Sequence, residues 1–296
     1  MATEEREANC LSDSALRELL LEYRRENWKG IQSPDTQASV VDQLLRGDAE
    51  GPLRQLEAYV PLTAETRILD LGSGVGTFVV ACRRRGLQAF GLEPDRIGQG
   101  AQITAIQIAR KRLALSVFVN GIGEALPFAD SSFDVVVMNQ VIEHVDSQSA
   151  VIREAARVTR EGGAIYLACP NYLRFYEPHY KILWFPLLPR FIGRAYLRLR
   201  GRSSAMLNQI TYTTNRRLRK LLAVLGPEFI VFDLHREQFM KKRADGSFAA
   251  SSTRLISKAT HLPLIGGLLL TAVLRYASLA EGGCEIIVLR RVKQVR

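Results

Sequence analysis

Cysteine is scarce in this 296-residue sequence, with Cys10, Cys82, Cys169 and Cys284 far apart and outside any Cys-x-x-Cys or Cys/His cluster. Neither a disulfide framework nor a zinc site is expected, and a reducing, cytoplasmic setting fits. Long apolar runs are also missing. The longest, residues 262–274, falls short of the roughly 20 residues that a membrane span needs, and Pro263 and the Gly266–Gly267 pair interrupt it. The acidic start, with Glu4, Glu5 and Glu7, lacks the basic and apolar regions of a secretory signal, so export is not expected. No internal repeat, low-complexity tract or Gly-Lys-Ser/Thr phosphate loop occurs. With 47% apolar and 24% charged residues, the chain has a globular balance, which argues against disorder, collagen and coiled coil. Its length suits one elaborated α/β domain.

Short apolar runs alternate with helix-length stretches from residue 67 onward: residues 68–71, 89–92, 116–120, 135–139 and 164–169. Strands spaced in this way predict βαβ units and a parallel sheet. The unbroken Val135, Val136, Val137 and Met138 predict a central strand covered on both faces. Before this region, residues 14–60 read as two or three helices, with Leu16, Leu19, Leu20 and Tyr23 at helical spacing and Ser12 or Asp13 as a cap. After Pro170 the rhythm breaks into a segment rich in aromatics, proline and arginine. A helix over 212–225 and strands over 229–234 and 285–289 follow. The expected organisation is an N-terminal helical cover over 1–64 and a main domain over 65–296, with lid insertions at about 171–211 and 236–283.

The first strand runs into Asp70, Leu71, Gly72, Ser73, Gly74, Val75 and Gly76. Glycine at every second position lets the backbone bend tightly and a ligand approach without Cβ interference. An ordinary glycine loop is one reading. A dinucleotide fingerprint fails because its third glycine falls on Thr77. Asp-x-Gly-x-Gly-x-Gly fits.

At these residues the sequence resembles the class I methyltransferases that use S-adenosylmethionine, in particular the group around the ubiquinone and menaquinone biosynthesis enzymes. The resemblance covers about residues 65–172. It implies a Rossmann-like seven-stranded sheet of order 3-2-1-4-5-7-6 with the last strand antiparallel, and S-adenosylmethionine as cofactor. It implies that Asp70 lies near the cofactor amino group, with Gly72, Ser73, Gly74 and Gly76 along its methionine and ribose parts. Glu93, followed by Pro94, stands where the second strand's acid bonds the ribose hydroxyls, a task for which a carboxylate suffices because it accepts from both at once. Carboxylates also suit a cationic sulfonium and ammonium, whereas they would repel a pyrophosphate. Relatives carry Gly-Asp-Ala-Glu before Leu-Pro-Phe; here Ile122 replaces the Asp that accepts from the adenine amine, leaving Glu124 or a backbone carbonyl for that contact, with Gly123 also in the expected cofactor set. Asn139 and Gln140, at the end of the fourth strand, complete the expected cofactor set.

Methyl transfer needs a base only where the acceptor must lose a proton. His144 is the first candidate because its ordinary titration lies near neutrality; the competing reading is a helix-start histidine that only packs. His179 is the second. Tyr172, Tyr176 and Tyr180, directly after the fifth strand, are expected to wall the acceptor, or else to pack the lid onto the sheet. Some quinone O-methyltransferases that resemble this chain bind a divalent metal in the segment of Glu143 and His144, but Gln140 stands where a further acid is needed, and no metal is expected.

The formal net charge of +10 is uneven: residues 1–180 carry −5 and residues 181–296 carry +15. Arg190, Arg194, Arg198, Arg200 and Arg202 beside apolar residues read as a solvated edge of a cap core, as a grip on an anionic acceptor, or as a peripheral contact with an anionic membrane. No nucleic-acid module accompanies the charge, so a nucleic-acid partner is not expected. The leading expectation is methyl transfer to a small or amphiphilic acceptor at oxygen, such as a lipid, quinone, polyketide or glycan precursor. An RNA or protein methyltransferase, and a non-catalytic protein of the same fold, remain as alternatives.

Overall fold

Three helices open the structure. In helix α1, Asp13–Asn27, the Ser12 side chain accepts from the Ala15 N–H at 3.3 Å, and Leu16, Leu20 and Arg24 lie on the buried face. Helices α2, Pro34–Arg46, and α3, Gly51–Leu56, follow. The computed structural model describes residues 11–46, 49–95, 103–113, 117–234, 236–237, 240–241, 276 and 284–291.

The alternating region then folds as β1 (Arg67–Leu71), α4 (Thr77–Arg84), β2 (Gln88–Glu93), α5 (Ala105–Leu113), β3 (Phe118–Asn120), β4 (Phe133–Asn139), α6 (Gln148–Val158) and β5 (Thr159–Cys169). A hairpin of β6 (Tyr176–Glu177) and β7 (Ile182–Leu183), helices α7 (Arg190–Leu199), α8 (Ala205–Gln209) and α9 (Asn215–Leu222), and strands β8 (Phe229–Asp233) and β9 (Cys284–Arg290) complete it. The large sheet has the order β3-β2-β1-β4-β5-β9-β8. Without the hairpin strands this is 3-2-1-4-5-7-6, as expected. Strands β1 to β5 pair in parallel, and β9 runs antiparallel to both β5 and β8. Pairs such as Leu69 with Val136 and Val136 with Ile165 fix its register.

The apolar run in β4 explains why it is central. Val136 and Met138 enter the core on one face of the sheet, while Val135 and Val137 enter the core on the other. Strand alternation sends successive side chains to opposite faces, and burying each contributes about 1.5–3 kcal/mol. A polar residue at any of the four would therefore forfeit stability on one face or the other.

The segment between β5 and α9, the first of the expected lid insertions, has its own core of Tyr172, Tyr180, Ile182, Trp184, Leu197, Leu207 and Ile210, joined by Ile31 from the N-terminal part. Backbone bonds from Ser203 N to Gly30 O (2.6 Å) and a side-chain bond from Gln32 Nε2 to His179 O (2.6 Å) latch the two together. Of the second expected insertion, 236–283, only residues 236–237, 240–241 and 276 are described. The apolar run at 262–274 lies outside the described residues. Among the described residues, no helix is long and apolar enough to cross a membrane.

Candidate active site

The carboxyl ends of β1, β2 and β4 converge, and the glycine turn after β1 separates two cavities. The first is lined by Gly72, Gly74, Glu93, Pro94, Ile122, Gly123, Glu124, Gln140, Val141 and His144, among others. The second includes Asp70, Gly72, Ser73, Gly74, Asn139 and, from the helical cover, Tyr23, Arg24 and Trp28. Gly72 and Gly74 border both. Eleven of the twelve expected cofactor residues thus line one or the other; Gly76 instead caps the start of α4, with its position beside Phe118 and Ala109.

Two of these glycines are required by geometry. Gly72 has φ +74°, and a Cβ there would stand 2.5 Å from Val141 Cγ2. Gly74 has φ +51°, faces open space, and donates its N–H to Glu93 Oε2 at 2.9 Å. Both torsions lie where side-chain-bearing residues are disfavoured. One oxygen of Glu93 is thereby fixed to the turn, so the acid is held at the junction.

The electrostatics favour a cation. Burial, together with the charge of Glu93, pushes the Asp70 carboxyl up to about 8. Burial also raises Glu93, though its bond from Gly74 opposes this. Two carboxyls strained upward in this way are stabilised in their ionised forms by a neighbouring positive charge. Glu124 accepts from the N–H groups of Asp146 (2.9 Å) and Ser147 (3.2 Å) through Oε1. Ile122 is 40% exposed on the cavity rim and offers no polar side-chain atom.

Next to this junction the lid brings a histidine to a histidine. His179 Nδ1 lies 2.7 Å from Glu177 Oε1, and His179 Nε2 lies 3.1 Å from His144 Nε2. Glu177 is fully buried; it also accepts from Tyr172 Oη at 3.2 Å and, through Oε2, from the Tyr180 N–H at 2.6 Å. Converging donors of this kind make Glu177 an acceptor. Nδ1 of His179 then carries a proton, its Nε2 accepts from His144 Nε2–H, and His144 Nδ1 is left with a free lone pair. Desolvation and the neighbouring His179 lower His144 to about 4, so its imidazole is neutral at physiological pH.

Beneath the pair, Glu143 is fully buried and neither of its carboxyl oxygens has a hydrogen-bond partner. Burial pushes it up to about 7. One ligand atom each from Glu143, His144 and His179 lies within 4.8 Å of the others, a donor set that could hold a divalent cation. The sequence expectation of no metal weighed only the Gln140–His144 segment; the fold adds His179 from 35 residues away.

The tyrosines are placed differently from the wall expected of them. Tyr172 and Tyr180 are each 1% exposed in the lid core. Tyr172 stacks on Tyr212 with ring centroids 4.6 Å apart, and Tyr180 Oη accepts from the Leu207 N–H at 3.2 Å. They pack the lid and orient Glu177, while Tyr176 is exposed on the hairpin. Glu177 holds His179, and Arg24 and Trp28 line the second cavity; the sequence alone indicates none of these roles, while it offers Glu143 only as a candidate metal ligand. Arg24 had a legible signal: it extends the apolar stripe of Leu16 and Leu20 by one more helical turn, where a charge is out of place.

A family model described as a methyltransferase domain matches residues 69–167. An uncharacterized methyltransferase of Mycobacterium sp. (strain KMS) is 37% identical over 112 residues, which is 38% of this chain and 42% of that protein. One from Mycolicibacterium gilvum (strain PYR-GCK) is 33% identical over 154 residues, 52% of this chain and 54% of the other. The chain spans about half the length of the curated relatives it matches. Among solved structures, Haemonchus contortus phosphoethanolamine N-methyltransferase 2 in complex with S-adenosyl-L-methionine is similar with a TM-score of 0.49 and 13% identity, over 95% of this chain and 58% of that chain. Residues 69–167 are thus similar to the methyltransferase-domain family, and the sheet that carries them has the 3-2-1-4-5-7-6 order that the resemblance implied.

Proposed function

We propose that this protein transfers a methyl group from S-adenosylmethionine to an oxygen atom of an amphiphilic acceptor. The observation that carries the reading is the pair of cavities meeting at Gly72 and Gly74, with Asp70 on one side and Glu93 on the other. That arrangement suits a ligand with a cationic centre between a polar amino-acid end and a nucleoside end. Asp70 would hold the cationic end and Glu93 the ribose hydroxyls. When bound, the cofactor supplies a methyl group already activated by a sulfonium, so alignment does much of the catalytic work.

The chain's own contribution is proton handling. An acceptor hydroxyl must lose its proton as its oxygen is alkylated, and the free Nδ1 of neutral His144 takes it. His179 and Glu177 hold that ring in the required tautomer. An amine acceptor with a free lone pair makes no such demand, which is why the histidine pair favours oxygen.

The lid favours an amphiphile. Phe191, Ile192 and Leu199 on α7 are exposed, as are Phe175, Leu183 and Phe185 around the hairpin. Arg194 and Arg198 on α7, and Arg200 at its C-terminal cap, are exposed as well. Apolar side chains flanked by cations suit an anionic membrane surface. A long-chain alkyl catechol in phosphatidylglycerol vesicles, given labelled S-adenosylmethionine, is expected to yield its methyl ether. The protein is expected to float with those vesicles, less so in high salt, and with Phe191→Asp and Leu199→Asp variants much less again. Label recovered in protein or RNA, with none in the catechol, would reject the acceptor proposed here.

Asp70 gives a separate handle on the cofactor reading. With its carboxyl near 8 in the absence of a cation, it is largely protonated at neutral pH, and a bound cation lowers it. Binding should therefore release up to one proton, and affinity should rise about tenfold per pH unit while the free form is protonated and the bound form ionised. Calorimetry in buffers of differing ionisation enthalpy measures the proton count. Asp70→Asn should abolish the pH dependence, and an affinity flat between about pH 6 and 8 in the wild type contradicts the assignment.

A further inference from the structure

One indole touches both the second cavity and the histidine that holds the base. Trp28 caps the end of helix α1: its N–H donates to Arg24 O at 2.9 Å, and its carbonyl accepts from Ile31 N–H at 3.0 Å and Gln37 Nε2 at 3.3 Å. With the backbone pinned in this way, the side-chain torsions alone place the ring. It lines the second cavity beside Asp70, Gly72 and Gly74. The Arg24 guanidinium stands 4.2 Å from its centroid, and the His179 ring stacks on it with centroids 6.4 Å apart and planes 11° from parallel. Trp28 is half-buried, so part of the indole is open for a ligand to cover.

The stack supplies what the hydrogen bonds of His179 do not. Its bonds at Nδ1 to Glu177 and at Nε2 to His144 act in the plane of the imidazole and resist movement within it. Tilt out of that plane is opposed by the indole laid against the imidazole face. The His144 ring stands at 88° to that of His179, with centroids 5.0 Å apart. A tilt of His179 therefore displaces its Nε2 and spoils the 3.1 Å bond that sets the His144 tautomer. Gln32 holds the backbone carbonyl of His179 and not its ring.

We propose that Trp28 is a positioning residue that couples the cofactor cavity to the general base. This rests on the functional reading above, with S-adenosylmethionine as donor and His144 as base. A ligand in the second cavity packs against the open part of the indole and narrows its torsions, and the indole in turn holds the His179 ring in place. The base is thus aligned when the methyl donor is bound and loosely held when it is not. An acceptor hydroxyl donates to His144 Nδ1, so acceptor affinity reports that alignment. The coupling is reciprocal: whatever factor the cofactor adds to acceptor affinity, the acceptor adds to cofactor affinity.

The test is calorimetric, with S-adenosylhomocysteine and a short-chain alkyl catechol added to the full chain singly and together. Wild type is expected to bind the catechol about fivefold or more tightly once saturated with S-adenosylhomocysteine. Trp28→Ala should bind each ligand alone, with the factor reduced to about one and kcat lowered. His179→Ala should lose the same factor and the double variant no more, as two residues acting through one contact require. Trp28→Phe keeps an aromatic face and should recover part of the factor. The two tryptophans of the chain are Trp28 and Trp184, and S-adenosylhomocysteine should shift the emission of the wild type but not that of Trp28→Phe. No coupling in the wild type, or an equal factor in Trp28→Ala, overturns the proposal while leaving the cofactor reading intact. An emission shift that survives in Trp28→Phe overturns it as well, and this readout stands should Trp28→Ala fail to fold. Catechol that binds in neither state rejects the acceptor reading and this inference together, and absence of saturable S-adenosylhomocysteine binding rejects the cofactor reading with it.

Discussion

His179→Ala is expected to lower kcat by about 10²–10⁴, the usual contribution of a positioned general base, while leaving S-adenosylhomocysteine affinity in place. His144→Ala should reach the same low turnover, and the double variant should fall little further, because the two rings act through one shared hydrogen bond of 3.1 Å. The pH profile separates this from simple loss of packing. His144 stands at about 4, so its lone pair is available above that pH, and the acid limb of kcat/KM is expected near pH 4 rather than at the ordinary histidine value of about 6.5. Glu177→Gln should give intermediate turnover, since the amide oxygen still accepts from His179 Nδ1 but no longer carries charge. Turnover of His144→Ala equal to wild type with an oxygen acceptor would sink the base assignment.

Gly72→Ala is expected to reduce cofactor affinity by about 100-fold or more. A side chain at φ +74° costs about 1–2 kcal/mol in the left-handed region, and its Cβ would meet Val141 Cγ2 at 2.5 Å. Relief requires either Val141 or the turn to move, and both line the first cavity. Overpacking of this kind costs a further 1–3 kcal/mol or so. Stability should therefore fall together with binding. The paired variant Gly72→Ala/Val141→Ala removes the clash but not the torsion, and should recover stability in part. Calorimetry and thermal melts measure the two effects. Gly74→Ala is the comparison: its Cβ would meet nothing within 4 Å, so it should bear the torsional cost alone, and a Gly74→Ala loss as severe as that of Gly72→Ala would refute the steric account.

The sheet was legible because its signal is local. Val135 to Met138 announce a strand buried on both faces, and Asp70 to Gly76 announce a tight turn whose glycines take left-handed torsions. Alternation and glycine spacing act over a handful of residues, within reach of a direct reading. Of that turn, Gly72 and Gly74 border both cavities. The histidine pair was legible only as two separate candidates. Nothing in 35 intervening residues says that His179 will come back to His144, because the lid that returns it is positioned by contacts with Gly30, Ile31 and Gln32. For Tyr172 and Tyr180 the sequence leaves an acceptor wall and lid packing both open, because the chemistry of an aromatic ring is the same in a core as in a pocket. Only their burial, and their bonds to Glu177 and Leu207, decide the matter. Arg24 stands out locally as a charge on an apolar stripe, but the cavity that it lines exists only where the helical cover meets the end of β1.

The bond from Gln32 to the carbonyl of His179 also bears on how this protein can be recombined with others. An exchange of the segment between β5 and α9, made to alter acceptor choice, would separate that carbonyl from the glutamine that anchors it and Ser203 from the carbonyl of Gly30. The exchangeable module is consequently two stretches distant along the chain, the opening helices and the lid, and a chimera that transplants either one alone inherits a misaligned imidazole.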